Sequence, residues 1–165
     1  MKYTRIPLIS LVAACVSSCS TVRDHRELSR PENKPLTAST GSTLFRLSKK
    51  SDLPNAVGGR DIFGGKVDRG YAEVRLIKII NNRILNFLVH DVNRESSENT
   101  MERYGRNNLV EVNQTVNIAT SSSDRGTPVV LDTSREREYT IAGIAIRIVE
   151  VRGSSITYVI HDLEK

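Results

Sequence analysis

The chain has 165 residues, of which 38% are hydrophobic, 26% charged and 5% aromatic, with no tryptophan and a net charge of +5. That length holds one domain with a real core. The mild charge excludes the clustered basic face of a nucleic-acid binder, and the scarcity of aromatic rings excludes stacking platforms for bases or sugars. The N-terminus, MKYTRIPLISLVAACVSS, opens with Lys2 and Arg5. It continues in an apolar run from Ile6 to Val16 and reaches Cys15 and Cys19 through small residues. This is the layout of a secretory signal peptide. The run falls short of the roughly 20 apolar residues that a membrane-spanning helix needs. Two cysteines four apart inside an apolar leader do not make the C-x-x-C of a dithiol redox motif. With His25 alone nearby they do not make a four-ligand zinc site either, so no metal or other cofactor is expected.

Val12-Ala13-Ala14-Cys15 and Val16-Ser17-Ser18-Cys19 both resemble the lipobox of bacterial lipoproteins. The resemblance covers the first 20 residues only. It implies a lipid on the cysteine sulfur, cleavage just before that cysteine, and the membrane as a partner. Cys19 is the preferred attachment site and Cys15 the alternative. Cutting before Cys19 leaves a longer apolar run and removes Cys15, so no free thiol enters an oxidising compartment. Residues 1–18 are then the leader. Lys2 and Arg5 leave with it, so the 24 basic residues fall to 22 against 19 acidic ones, a mature charge of +3. In lipoproteins an Asp directly after the cysteine signals retention at the inner membrane. Here Ser20 follows Cys19 and Val16 follows Cys15, which implies the periplasmic face of the outer membrane in a Gram-negative cell.

Residues 19–42 are polar and rich in Ser, Thr and Pro, with almost no large apolar side chain to offset ordering entropy. They are expected to form a disordered tether, with at most a short helix at Asp24–Leu28 and a reach of roughly 25 Å. From Thr43 the pattern is β, and 43–165 is expected to be the folded domain. Ala72, Val74 and Leu76 alternate with polar neighbours, Asn81-Asn82 marks a tight turn, and Leu85, Phe87 and Val89 return. The stretch 93–106 reads as a mobile connection with room for a short, unburied helix. Val110, Val112, Val116 and Ile118 suggest another strand, and Pro128–Thr133 a short one. Ile144, Ile146 and Ile148, a turn at Arg152-Gly153, and Ile156, Tyr158 and Ile160 make the last hairpin. About six to eight short antiparallel strands at this spacing predict an all-β sandwich or small barrel.

FLVHDV (87–92) and YVIHDL (158–163) match class for class at an offset of 71. Either the hairpin is duplicated, or two apolar strands look alike, which is the expectation. Neighbouring strand residues point to opposite faces, so His90 with Asp91, and His161 with Asp162, cannot readily act on one atom. The stretch GGRDIFGGKVDRG (58–70) fails as a phosphate loop, because Arg60 and Val67 stand where a glycine and a hydroxyl are required. Its five glycines instead suggest tight turns and close backbone approach. Ile62 and Phe63 between them are expected to tuck into the core. The alternative is an exposed tip that binds a partner.

Ser121–Gly126 is a loop by composition, and 134–138 a solvated, mixed-charge strand entry. No Gly-x-Ser-x-Gly occurs and no catalytic residue is assigned. The expectation is a non-enzymatic domain, a structural or accessory component of an envelope assembly with an envelope protein as a further partner and no nucleic acid. The second reading is a ligand-binding barrel or a small hydrolase at the membrane surface. Leu53-Pro54-Asn55-Ala56 and Asp61-Ile62-Phe63-Gly64 resemble stretches of small bacterial lipoproteins, and that resemblance implies no activity.

Overall fold

Period-two burial divides the chain into strands that pack as two antiparallel sheets. The computed structural model describes residues 21–105, 119–121 and 126–165. Cys15, Cys19 and the Val110–Ile118 run lie outside the described residues, as does most of the Ser121–Gly126 loop. In chain order the elements are β1 (Asp24–Leu28), β2 (Leu36–Ser39), β3 (Thr43–Asp52), β4 (Lys66–Ile80), β5 (Ile84–Glu95), α1 (Thr100–Tyr104), β6 (Ala119–Ser121), β7 (Thr127–Asp132), β8 (Glu138–Ile141), β9 (Ile144–Arg152) and β10 (Ser155–Asp162). Six strands form one sheet in the order β1-β3-β4-β5, with β6 and β7 both on β5. The other four form β2-β10-β9-β8. Neither order closes on itself, so the all-β expectation holds as a two-sheet sandwich rather than a barrel. Among the described residues the strands number ten, more than the six to eight expected, because β1, β2, β6 and β8 are short and carry little apolar alternation.

The alternating residues read from the sequence form the core. Ala72, Val74 and Leu76 of β4 and Leu85, Phe87 and Val89 of β5 face Ile144, Ile146 and Ile148 of β9 and Ile156, Tyr158 and Ile160 of β10 in one buried cluster. Leu44 and Phe45 are adjacent yet both fully buried. A register shift explains this: Thr43 pairs with Arg75 and Phe45 with Val74, so Leu44 is passed over as a bulge. Asn81 and Asn82 both have φ of 52° in the turn after β4, as their side-chain chemistry allows. The β9–β10 turn falls one residue later than expected, at Gly153-Ser154, with Gly153 at φ 53°.

The tether expectation is corrected. Residues 24–28 form a strand, not a helix or coil, and pair with β3 from Asp24↔Ser51 to Leu28↔Leu47. Leu36–Ser39 pairs with β10 from Tyr158↔Leu36 to Ser155↔Ser39. The domain therefore starts near Arg23 rather than at 43. These are edge strands, and an edge strand gains mainly backbone hydrogen bonds while burying little of its own surface. Only Ala38 is fully buried, with Leu28 and Leu36 against the core margin. Arg26 holds the segment to the far end of the chain, through Glu164, the Ala142 carbonyl and, at 3.7 Å, Asp162.

The two echoing segments lie in different sheets. FLVHDV is in β5 and YVIHDL, up to Asp162, in β10, and Phe87 and Tyr158 occupy matching inward positions. The first strands of the two hairpins correspond at an offset of 72, not 71. The extra residue of the three-residue turn after Ile80, against two after Arg152, accounts for the difference.

Candidate functional site

Among the described residues the four most exposed large apolar side chains lie where β3 crosses to β4 and on the helix beside it. The connection, residues 53–65, is an ordered loop fixed at its base by buried Leu53. The Leu53 N–H donates to the Gly65 carbonyl at 2.8 Å and its carbonyl accepts from the Asp61 N–H at 2.8 Å. Two polar side chains then shape it. Asn55 Oδ1 accepts from the N–H of Val57 (3.0 Å) and of Gly59 (2.8 Å), closing a turn in which Gly58 has φ +84°. Asp61, only 2% exposed, accepts from the N–H of Phe63 (3.1 Å) and of Gly65 (2.9 Å) and from the Tyr104 hydroxyl (3.3 Å).

Helix α1 buttresses this loop. Asn99 and Glu102 form a reciprocal capping box, which lets so short a helix persist. Thr100 donates its N–H to the Pro54 carbonyl at 3.0 Å. Arg103 forks onto Glu98 at 2.7 and 2.8 Å and reaches the Lys66 carbonyl at 2.9 Å. The Tyr104 ring meets Phe63 edge-on, with centroids 5.5 Å apart.

The result is a hydrogen-bonded frame that turns its apolar side chains outward. Val57 is 90% exposed, Ile62 87%, Phe63 74% and Met101 69%. The expectation that Ile62 and Phe63 enter the core is therefore overturned, and the exposed-tip alternative describes them. The reason is local. Asp61 takes the inward position, and its two backbone acceptor bonds oblige the following residues to turn away.

The Asp61 carboxyl is opposed by burial, yet the Phe63 and Gly65 N–H groups, the Tyr104 hydroxyl and nearby Arg103 outweigh that cost and hold its pKa below the usual value. A depressed carboxyl pKa contributes stability that is fully present above the unfolded value of about 3.8 and is lost as pH falls through the folded value. Acidification below about pH 3.8 is thus expected to loosen the tip before the core. The Phe63 and Gly65 amides, followed by NMR, should lose hydrogen-exchange protection there. Asp61→Asn should abolish that acid step.

The histidines do not assemble. His90 lies on β5 and His161 on β10, in different sheets. Asp91 binds Lys49 at 2.6 Å, while His161 meets Asn33. Among the described residues no group of three His, Cys, Asp or Glu stands close enough to hold a metal ion. His25, solitary in the sequence, hydrogen-bonds buried Asp52 at 2.6 Å because β1 pairs with β3. That bond is the main cause of a lowered Asp52 pKa, against burial and with help from the Arg23 N–H and Lys66. Sequence reading missed this pair, since its members are 27 residues apart. No protein-family model, curated protein or solved structure matches this chain.

Proposed function

We propose that the chain is a bacterial lipoprotein, anchored through Cys19 at the periplasmic face of the outer membrane, whose domain acts by binding rather than catalysis. It serves as a structural or accessory component of a cell-envelope assembly. The observation that carries the binding reading is the tip: large apolar side chains held in water by a frame of buried Asp61, Asn55 and a capped helix. Exposing such surface is unfavourable at about 25 cal/mol per Å². A frame that enforces the exposure fits a contact element. The anchor reading rests on the basic start, apolar run and lipobox of the leader.

Labelling cells with radioactive palmitate and weighing the mature N-terminus tests the anchor. Wild type and Cys15→Ser should carry lipid on Cys19, and Cys19→Ser should carry none. Lipid on both variants, or on neither wild-type cysteine, would refute it. Cross-linking in intact cells tests the accessory role: one envelope protein should recur among the products, and recovery of no specific protein counts against it.

A further inference from the structure

The end of the six-stranded sheet that carries the tip is also the end at which the chain enters the fold. Arg23 donates its N–H to Asp52 Oδ2 at 3.2 Å, and its carbonyl accepts from the Asp52 N–H at 2.9 Å. Leu53 is the next residue and binds Asp61, two residues from Phe63. Arg23 and the tip are thus linked by a short series of direct contacts. Four residues back from Arg23 stands Cys19, and extended chain spans at most about 3.5 Å per residue. The Cys19 backbone therefore lies within about 14 Å of Arg23, whatever path the intervening residues take.

This changes what the tip meets. A free coil of some twenty residues would let the domain turn in any direction. With its lipid on Cys19, four residues would keep this end of the sheet near the bilayer. The opposite end, at the Asn81–Arg83 turn, is separated from it by the 15 residues of β4, at most about 50 Å at ~3.3 Å each. The loop's exposed charge also fits a lipid surface: Arg60 is exposed, while Asp61 beside it is buried. Anionic headgroups attract such a basic group.

We propose that Ile62 and Phe63 insert into the headgroup–acyl boundary of the leaflet that carries the Cys19 lipid, giving the domain a second membrane contact beside its anchor. Val57, and Met101 on the buttressing helix, flank this contact. The partner of the tip is then a phospholipid surface, and the insertion stands the six-stranded sheet upright from the membrane with the Asn81–Arg83 turn outermost. The inference rests on the anchor reading above.

The test uses the mature lipoprotein purified from bacterial membranes and reconstituted into vesicles of phosphatidylethanolamine and phosphatidylglycerol. An environment-sensitive fluorophore on Ile62→Cys should shift to the blue and be quenched by spin-labelled lipid, and the same probe on Asn82→Cys should do neither. Ile62→Ser with Phe63→Ser should speed transfer of the lipoprotein between vesicles by roughly tenfold or more, with unchanged thermal unfolding. A water-exposed probe at 62 on protein whose Cys19 lipid is confirmed by mass overturns the inference and leaves the anchor reading intact. Shielding that needs an added envelope extract, and not vesicles alone, overturns it in favour of a protein partner. A mature N-terminus without lipid removes both.

Discussion

Gly70→Ala is expected to destabilise the domain by about 3–5 kcal/mol, a large share of the ~5–15 kcal/mol that holds a typical domain together. Gly70 lies in β4 between two neighbours, pairing with Lys49 of β3 and Asn93 of β5. Its φ is +105°, and a Cβ there would stand 1.9 Å from the Val92 carbonyl oxygen and 2.7 Å from its carbon. Both are backbone atoms, so no side chain can swing aside. Relief requires β4 and β5 to part in the middle of the sheet. A non-glycine residue in such a conformation adds about 1–3 kcal/mol of its own. Gly153→Ala is the control: its φ is +53° with nothing within 4 Å of the added carbon, so only the backbone cost of about 1–2 kcal/mol applies. Urea denaturation of both variants measures the difference, and equal losses would show that the contact with Val92 is not what requires glycine.

Tyr158→Ala should cost about as much, roughly 3–5 kcal/mol, through loss of a buried ring and the cavity left behind. Tyr158 is 1% exposed, and its hydroxyl donates to the Leu44 carbonyl at 2.6 Å, from the four-stranded sheet to the six-stranded one. Leu44 is the bulged residue that the β3–β4 register passes over, so the phenol serves a carbonyl the ladder leaves aside. Burial raises the Tyr158 pKa, against a smaller opposing effect of Arg30, and keeps the hydroxyl a neutral donor. Tyr158→Phe retains the ring but deprives a buried acceptor of its donor, and should lose about 1–3 kcal/mol. Thermal and chemical unfolding of the two variants separates packing from the hydrogen bond. If phenylalanine were as costly as alanine, the hydroxyl would be the main link between the sheets. If it cost nothing, Leu44 would have another partner.

The tip and the entering strand meet the core at the same end of the sheet. Asp52 is held by Arg23 and His25 of the entering strand, and Leu53 begins the loop.

Much of the fold was legible because alternation is a record each strand keeps of its own two faces. Leu85, Phe87 and Val89, or Ile144, Ile146 and Ile148, bury one face wherever their partners lie. The turns at Asn81-Asn82 and near Gly153 were equally readable, since positive φ selects few residue types. The candidate tip was legible only as a choice. Five glycines around Ile62 and Phe63 announced an unusual loop, but composition does not say which way a side chain points.

The N-terminal pattern and that of the long strands are properties of the sequence by itself: a basic start, an apolar run, two lipobox-like cysteines, and an all-β domain built on two strong hairpins. Tertiary structure alone decided the rest. It turned 24–28 and 36–39 from an expected tether into edge strands, because pairing depends on partners 19 to 27 residues or more than 100 residues away rather than on their own polarity. It set His25 on Asp52 and sent Ile62 and Phe63 outward once Asp61 took the buried place. Periodicity reports what a strand buries of itself. Edges, turn-outs and cross-strand pairs are decided by what arrives beside them.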